Sequence, residues 1–276
     1  SKPYYINNEI AFEQLLLNTD MDIHNYSIIP QKTLNFSMSS FGMIRNENMN
    51  VFVKYGLNGP SHAHPDIINI EVMYKDGMIS RDISNAGYIS LLCNEWHRRS
   101  LAHNTVIMNG LDITSRSPGK TLKYSKDHII CEALNVYDGV DEIREIKLLK
   151  NGFSDIVQIK SANDGVFDYV FHLENDINLA ISNDFISSSL GFKENGYQYV
   201  KDVMKYNKKT DFLTLEAKRS NQNIAIDLDL KDHELYVAKT MDNPVNKERT
   251  TIIIRGNGKN ICYKMSLRIG EENGKN

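Results

Sequence analysis

Ile67-Ile68-Asn69-Ile70-Glu71-Val72-Met73-Tyr74-Lys75-Asp76-Gly77-Met78-Ile79-Ser80-Arg81 is the stretch on which the fold turns. Apolar residues alternate with others from Ile67 to Tyr74, the period of a half-buried strand. Lys75-Asp76-Gly77 supplies turn chemistry, and Ile79–Arg81 begins a second strand. The whole is a hairpin, so its two ends, near Ile67 and near Asp82, return to one edge.

The same pattern recurs outward in both directions. Strands are expected at Leu34–Met38, Met43–Arg45, Val51–Tyr55, Tyr88–Leu92, Thr105–Asn109, His128–Tyr137, Glu142–Leu149, Phe153–Ser161 and Asp168–Leu173. The last third adds Tyr197–Tyr206, Phe212–Arg219, Ile224–Leu230, Glu234–Thr240, Thr250–Arg255 and Ile261–Ile269. Met108-Asn109-Gly110, Lys150-Asn151-Gly152, Asn163-Asp164-Gly165 and Gly256-Asn257-Gly258 lie between them as tight-turn signals. Many short strands with almost no helical period between them imply an all-β chain, a large antiparallel β-sandwich of stacked sheets. One exception lies at the start. Ile10, Phe12, Leu15 and Leu16 approach a helical period, predicting a short amphipathic helix over about 7–17, and 18–33 reads as a polar linker. The expected division is residues 1–33 as helix and linker remnant and 34–276 as the sandwich.

A chain of 276 residues with 41% hydrophobic and 24% charged residues can bury a substantial core. Its formal charge of −3 argues against a globally basic surface for nucleic acid or membrane, and leaves room for local cations that hold an acidic ligand. Cys93, Cys131 and Cys262 show neither zinc-type spacing nor a disulfide framework, so buried free thiols are expected. No apolar run reaches the roughly 18 residues of a membrane span. The start at Ser1-Lys2-Pro3 without Met has the look of a trimmed or mature chain.

Just before the opening hairpin stands Gly59-Pro60-Ser61-His62-Ala63-His64-Pro65-Asp66. His62, His64 and Asp66 fall at every second position, hence on one side of an extended segment that Pro65 makes irregular. Imidazoles and a carboxylate on one edge suit a metal site, a catalytic site, or both. Asp82, where the hairpin returns, and His103, before the strand at Thr105, can join them. Four of the eight histidines lie between 62 and 103. Zinc takes imidazole nitrogen and carboxylate oxygen, and His64, Asp82 and His103 would leave one position for water or another side chain. Asp66 is a candidate orienter of a metal-bound histidine, with an N-cap or turn role as the plain alternative. Trp96-His97-Arg98-Arg99 offers an indole to stack on a sugar face and paired guanidiniums to bind carboxylate or sulfate; a solvated charged edge is the plain alternative. His128 and His172 are read as structural.

Several of these stretches together resemble the C-terminal β-sheet domain of heparinase II/III-like polysaccharide lyases, a group that includes oligoalginate lyases. They are Phe41-Gly42-Met43-Ile44-Arg45, the His62-Ala63-His64-Pro65-Asp66 segment, Arg81-Asp82 with Gly87-Tyr88, and Leu101-Ala102-His103-Asn104-Thr105-Val106. Arg144 to Leu149 with Gly152-Phe153, and Asp168-Tyr169-Val170-Phe171-His172, extend the likeness over about 35–270. The resemblance implies structural zinc on His64, Asp82 and His103, with His62 facing the cleft to neutralise a uronate carboxylate. It implies cleavage of acidic polysaccharide by β-elimination in a periplasmic or extracellular setting. It also implies that the base and acid come from a helical toroid domain N-terminal to the sheets. Nothing in 1–33 matches that toroid, so the expectation is one wall of a cleft. A non-catalytic carbohydrate-binding module and a zinc-dependent hydrolase are the competing readings.

Overall fold

The computed structural model describes residues 32–56, 62–75 and 77–271. The expected helix over 7–17, and Asp76 of the first turn, lie outside the described residues. The description below concerns the unit from Thr33 onward.

The quoted stretch is a hairpin in a five-stranded antiparallel meander of β1 (Leu34–Phe36), β2 (Phe41–Arg45), β3 (Met49–Lys54), β4 (Asn69–Tyr74) and β5 (Gly77–Ser80). Alternation decides its faces. Ile44, Met49, Val51, Val53, Ile70, Val72 and Ile79 point inward and are fully or almost fully buried. They pack on a larger antiparallel sheet through one continuous core that includes Ile129, Ile146, Phe153, Val157 and Tyr263.

Two long strands, β10 (Gly152–His172) and β17 (Glu248–Glu271), pair along nearly their whole length and form the spine of that larger sheet. The first half of β10 continues through β9 (Val140–Leu149) and β8 (His128–Tyr137) to β7 (Lys120–Tyr124). The second half of β17 continues through β15 (Gln222–Asp229) and β14 (Phe212–Arg219) to the short β11 (Asn178–Leu179). At the other end of the spine, β6 (Val106–Met108) pairs with β10 and β16 (Glu234–Met241) pairs with β17. Beyond β16 lie β13 (Lys201–Tyr206) and β12 (Phe185–Ser187).

That far end of the spine is covered on both faces. Tyr169, Phe171, Ile252 and Ile254 join the main core. Val170 and Ile253 face the other way, into a second cluster with Trp96, Leu101, Ile107 and Tyr236. The all-β antiparallel sandwich expected from the sequence is therefore present, with a second core cluster where loop residues pack against strands of the large sheet.

Four local expectations are corrected. The signals at Asn163-Asp164-Gly165 and Gly256-Asn257-Gly258 are not hairpin turns: they oppose each other across the spine, where the register steps from Lys160↔Asn260 to Gly165↔Gly258. Residues that suit a turn suit a bulge equally well, and Gly258 takes a φ of +128° there. Tyr88–Leu92 is no strand but a turn leading into a short helical coil that runs into Cys93–His97. Tyr197–Tyr199 is a tight helical turn, so its strand starts only at Lys201. β7, β11 and β12 are additions the sequence did not reveal. Met108-Asn109-Gly110 and Lys150-Asn151-Gly152 do make tight turns. Of the free thiols, Cys93 and Cys131 are buried and Cys262 is exposed, which corrects the third.

Candidate metal centre and adjoining cleft

His64, Asp82 and His103 converge, with one ligand atom from each within 4.8 Å of the others. The β4–β5 hairpin brings Asp82 back beside the start of β4, where the Asn69 side chain donates to Asp82 Oδ2 at 3.1 Å. His103 Nδ1 lies 2.8 Å from the same Oδ2, and the His64 and His103 rings are 5.1 Å apart. His103 Nε2 donates to the His97 carbonyl oxygen at 3.2 Å, which leaves Nδ1 as the ring atom facing the cluster. Two imidazoles and a carboxylate, each oriented by an outer partner, match the donor set and outer-shell support of a zinc site.

The electrostatics follow from this crowding. Burial, reinforced by the charge of His103, pushes the His64 imidazole down to about 4, so it is neutral and able to ligate at pH 7. Burial opposes ionisation of Asp82, yet the charge and hydrogen bond of His103 outweigh it and hold the carboxyl well below the usual range. Burial likewise opposes protonation of His103, and Asp82 overcomes it, raising the imidazole above its ordinary value.

Asn104 and Thr105 hold His103 in place. Asn104 Nδ2 donates to Ile70 O and Ser80 Oγ, both at 2.7 Å, and its Oδ1 accepts from His172 N at 2.8 Å. Its backbone N–H donates to Asn69 Oδ1 at 2.9 Å, and Thr105 Oγ1 donates to Ile67 O at 2.6 Å. Beneath them Arg144, wholly buried, forms a bidentate ion pair with Asp155 at 2.9 and 2.5 Å. Its Nη1 also donates to the carbonyls of Ile68 (2.5 Å) and Asn104 (2.6 Å). The His-Asn-Thr run thus contributes one candidate ligand and two clamps.

His62, His64 and Asp66 take three different partners in the structure. They belong to an irregular segment ahead of β4, and Ile68 takes a φ of +59°. His62 is exposed and hydrogen-bonds through Nδ1 with the Tyr88 hydroxyl, their rings meeting edge to face at 5.1 Å. His64 turns to the cluster. Asp66 is buried and paired with Lys54, not with a cluster imidazole, which corrects its expected orienting role.

The Trp96–Arg99 group also divides. Trp96 is fully buried in the second core, its Nε1 donating to Met241 O at 3.0 Å, so it has no face for a sugar. His97 is fully buried too, with Nδ1 3.0 Å from Leu92 O, and it touches the centre only through its carbonyl. An apolar side chain flanked by charges looked like a binding edge; the second core it fills comes from strands about 75 to 160 residues later. Arg98 and Arg99 do line an open cleft of about 460 Å³ together with Ala63, His64 and Pro65. Tyr88 is the site residue for which the sequence carried the weakest signal, a lone aromatic after a glycine.

The family model for the heparinase II/III-like C-terminal domain matches residues 30–266, and the chain belongs to that family. Among solved structures it is similar to heparan sulfate lyase HepC from Pedobacter heparinus, at 15% identity and a TM-score of 0.66, covering 94% of this chain and 39% of that one. A heparinase III gene product aligns at 12% identity and a TM-score of 0.64, over 95% of this chain and 40% of that one. A galactose mutarotase related enzyme from Lactobacillus acidophilus shares the fold more loosely, at 11% identity and a TM-score of 0.52, over 83% of this chain and 97% of that one. The chain therefore spans about two fifths of the length of the heparinases it matches. No curated protein sequence matches it. Among the described residues no helix is long and apolar enough to cross a membrane.

Proposed function

We propose that this domain forms one wall of the active cleft of a polysaccharide lyase that cleaves uronate-containing chains by β-elimination. The observation that carries the reading is the exposed His62–Tyr88 pair, two residues from a metal-type cluster, in a chain of the heparinase II/III-like family. Elimination removes the proton beside a uronic carboxylate and expels the oxygen on the next carbon. The charge that builds on the carboxylate must be met by donors. His62 is placed to do so when protonated, and Tyr88, whose hydroxyl orients it, can pass a proton to or from the sugar.

His64, Asp82 and His103 hold zinc in this reading, and the ion braces the segment that carries His62 rather than activating the substrate. A helical partner domain supplies the remaining base or acid, and the protein works on acidic polysaccharide in the periplasm or outside the cell. Incubation with alginate and with heparan sulfate, followed by the ultraviolet absorbance of the unsaturated product, tests it. Absorbance that appears and is lost in His62→Ala supports the reading. Binding without absorbance, even after a helical partner domain is added, favours a carbohydrate-binding module. Chelator-sensitive cleavage without absorbance favours a zinc-dependent hydrolase.

A further inference from the structure

The metal cluster has a support that comes from far along the chain. Arg249, near the start of β17, is buried. Its Nη1 donates to Arg81 O and its Nη2 to Ala102 O, both at 3.0 Å. Those carbonyls belong to the residues immediately before Asp82 and His103. A peptide unit is planar, so a pinned carbonyl also fixes the Cα of the residue that follows. The N–H groups of the same two units are held as well, Asp82 N by Glu71 Oε2 and His103 N by Ser100 O, both at 3.1 Å.

Arg249 makes these bonds without an ion pair of its own among the described residues. Glu174 and Asp242, whose charges bear on it, are bonded to Arg81 Nε (3.0 Å) and Nη2 (2.7 Å) instead. A buried guanidinium without a paired carboxylate is a costly brace for a core. It is well suited to holding two peptide groups at a set spacing, because its donors form a rigid planar fork. The turn that leads into β17 grips the same segment. Asn243 Nδ2 donates to Ile83 O and Asn85 O, both at 3.1 Å, and Asn243 O accepts from Arg81 Nη2 at 3.0 Å.

We propose that Arg249 is a positioning residue of the metal centre: its fork sets the separation of Asp82 and His103, so the β16–β17 hairpin governs how the cluster closes on a cation. The inference rests on the reading of His64, Asp82 and His103 as that centre.

Chelator competition for zinc and the visible spectrum of the Co2+ form test it in the whole chain. Arg249→Lys keeps the charge but cannot span both carbonyls with one ammonium, and Arg249→Met keeps neither. Both should lose zinc affinity about 10–100-fold, with an altered Co2+ spectrum. Leu267→Ala, in the main core where β17 pairs with β15, should lower stability and leave affinity and spectrum unchanged. Wild-type affinity and spectrum in a folded Arg249 variant, or an equal loss in Leu267→Ala, overturn the positioning role. Hydrogen exchange in the wild-type chain needs no variant. Because coupling is reciprocal, zinc added to chelator-treated protein should slow exchange of the Asp242 and Lys247 amides, which bond within the hairpin turn, about fivefold or more. Unchanged exchange there, with slowed exchange at the His103 amide, overturns the proposal and leaves the metal centre standing. A wild-type chain that binds no zinc overturns both.

Discussion

His103 Nδ1 lies 2.8 Å from Asp82 Oδ2, and each residue arrives there from a different part of the fold. Asp82 follows a hairpin of the small sheet, and His103 ends a loop packed on the large one. The pair joins the two layers at the rim of the sandwich, and whatever bridges it fastens them together.

The first expectation concerns the metal. Purified protein should carry zinc, and His64→Ala should lose it, as read by elemental analysis. Asn69→Ala, which removes the amide that orients Asp82, should weaken zinc affinity about 10–100-fold in a chelator competition. Full zinc content in His64→Ala would exclude the assignment.

A second expectation concerns pH in chelator-treated protein. His64 sits near 4 in the folded chain and near its ordinary 6.5 when unfolded. As pH falls from about 6.5, the unfolded chain therefore binds this proton first, and stability drops until pH 4. Thermal melts of His64→Gln should lack that limb; identical profiles would argue against the buried neutral imidazole.

Asn104→Ala should destabilise the protein by about 2 kcal/mol or more, because the backbone N–H of His172 and the Ile70 carbonyl lose a buried partner together. The midpoint of denaturant unfolding should move with no change in slope.

Asp155→Ala leaves the Arg144 charge buried and unpaired, a change that costs about 3–5 kcal/mol. Arg144→Met with Asp155→Leu should recover only part of that loss and none of the zinc affinity, since the carbonyls of Ile68 and Asn104 are left without their donor. Comparing unfolding midpoints with zinc titrations separates the two effects.

Tyr88→Phe should lower the rate of unsaturated-product formation about 100-fold or more while leaving zinc content unchanged. Equal rates would remove Tyr88 from the chemistry.

The sequence revealed strands wherever alternation was strict, as in β8 and β14, and it revealed the cluster because a hairpin of known length returns Asp82 to His64. It misled where one local signal serves two structures: Asn-Gly and Gly-Asn-Gly signals suit turns and bulges alike, and only the partner strand selects between them. Trp96 failed for a related reason. Its neighbours in sequence are charged, but its neighbours in space are Tyr236 and Ile253, which no window around it contains. Tyr88 stayed indistinct because its partner, His62, lies 26 residues away across irregular backbone.

Arg144 has its carboxylate partner in the middle of the large sheet and two of its acceptors on the segments that present the site. Opening the cluster while the sheet stays closed keeps the Arg144–Asp155 ion pair but strips the buried Arg144 Nη1 of both its carbonyl acceptors, a cost that ties local opening to the sheet. Hydrogen exchange at the amides of Asn104 and Thr105 should therefore report the global unfolding event, and the cleft wall is expected to be as rigid as the core beneath it.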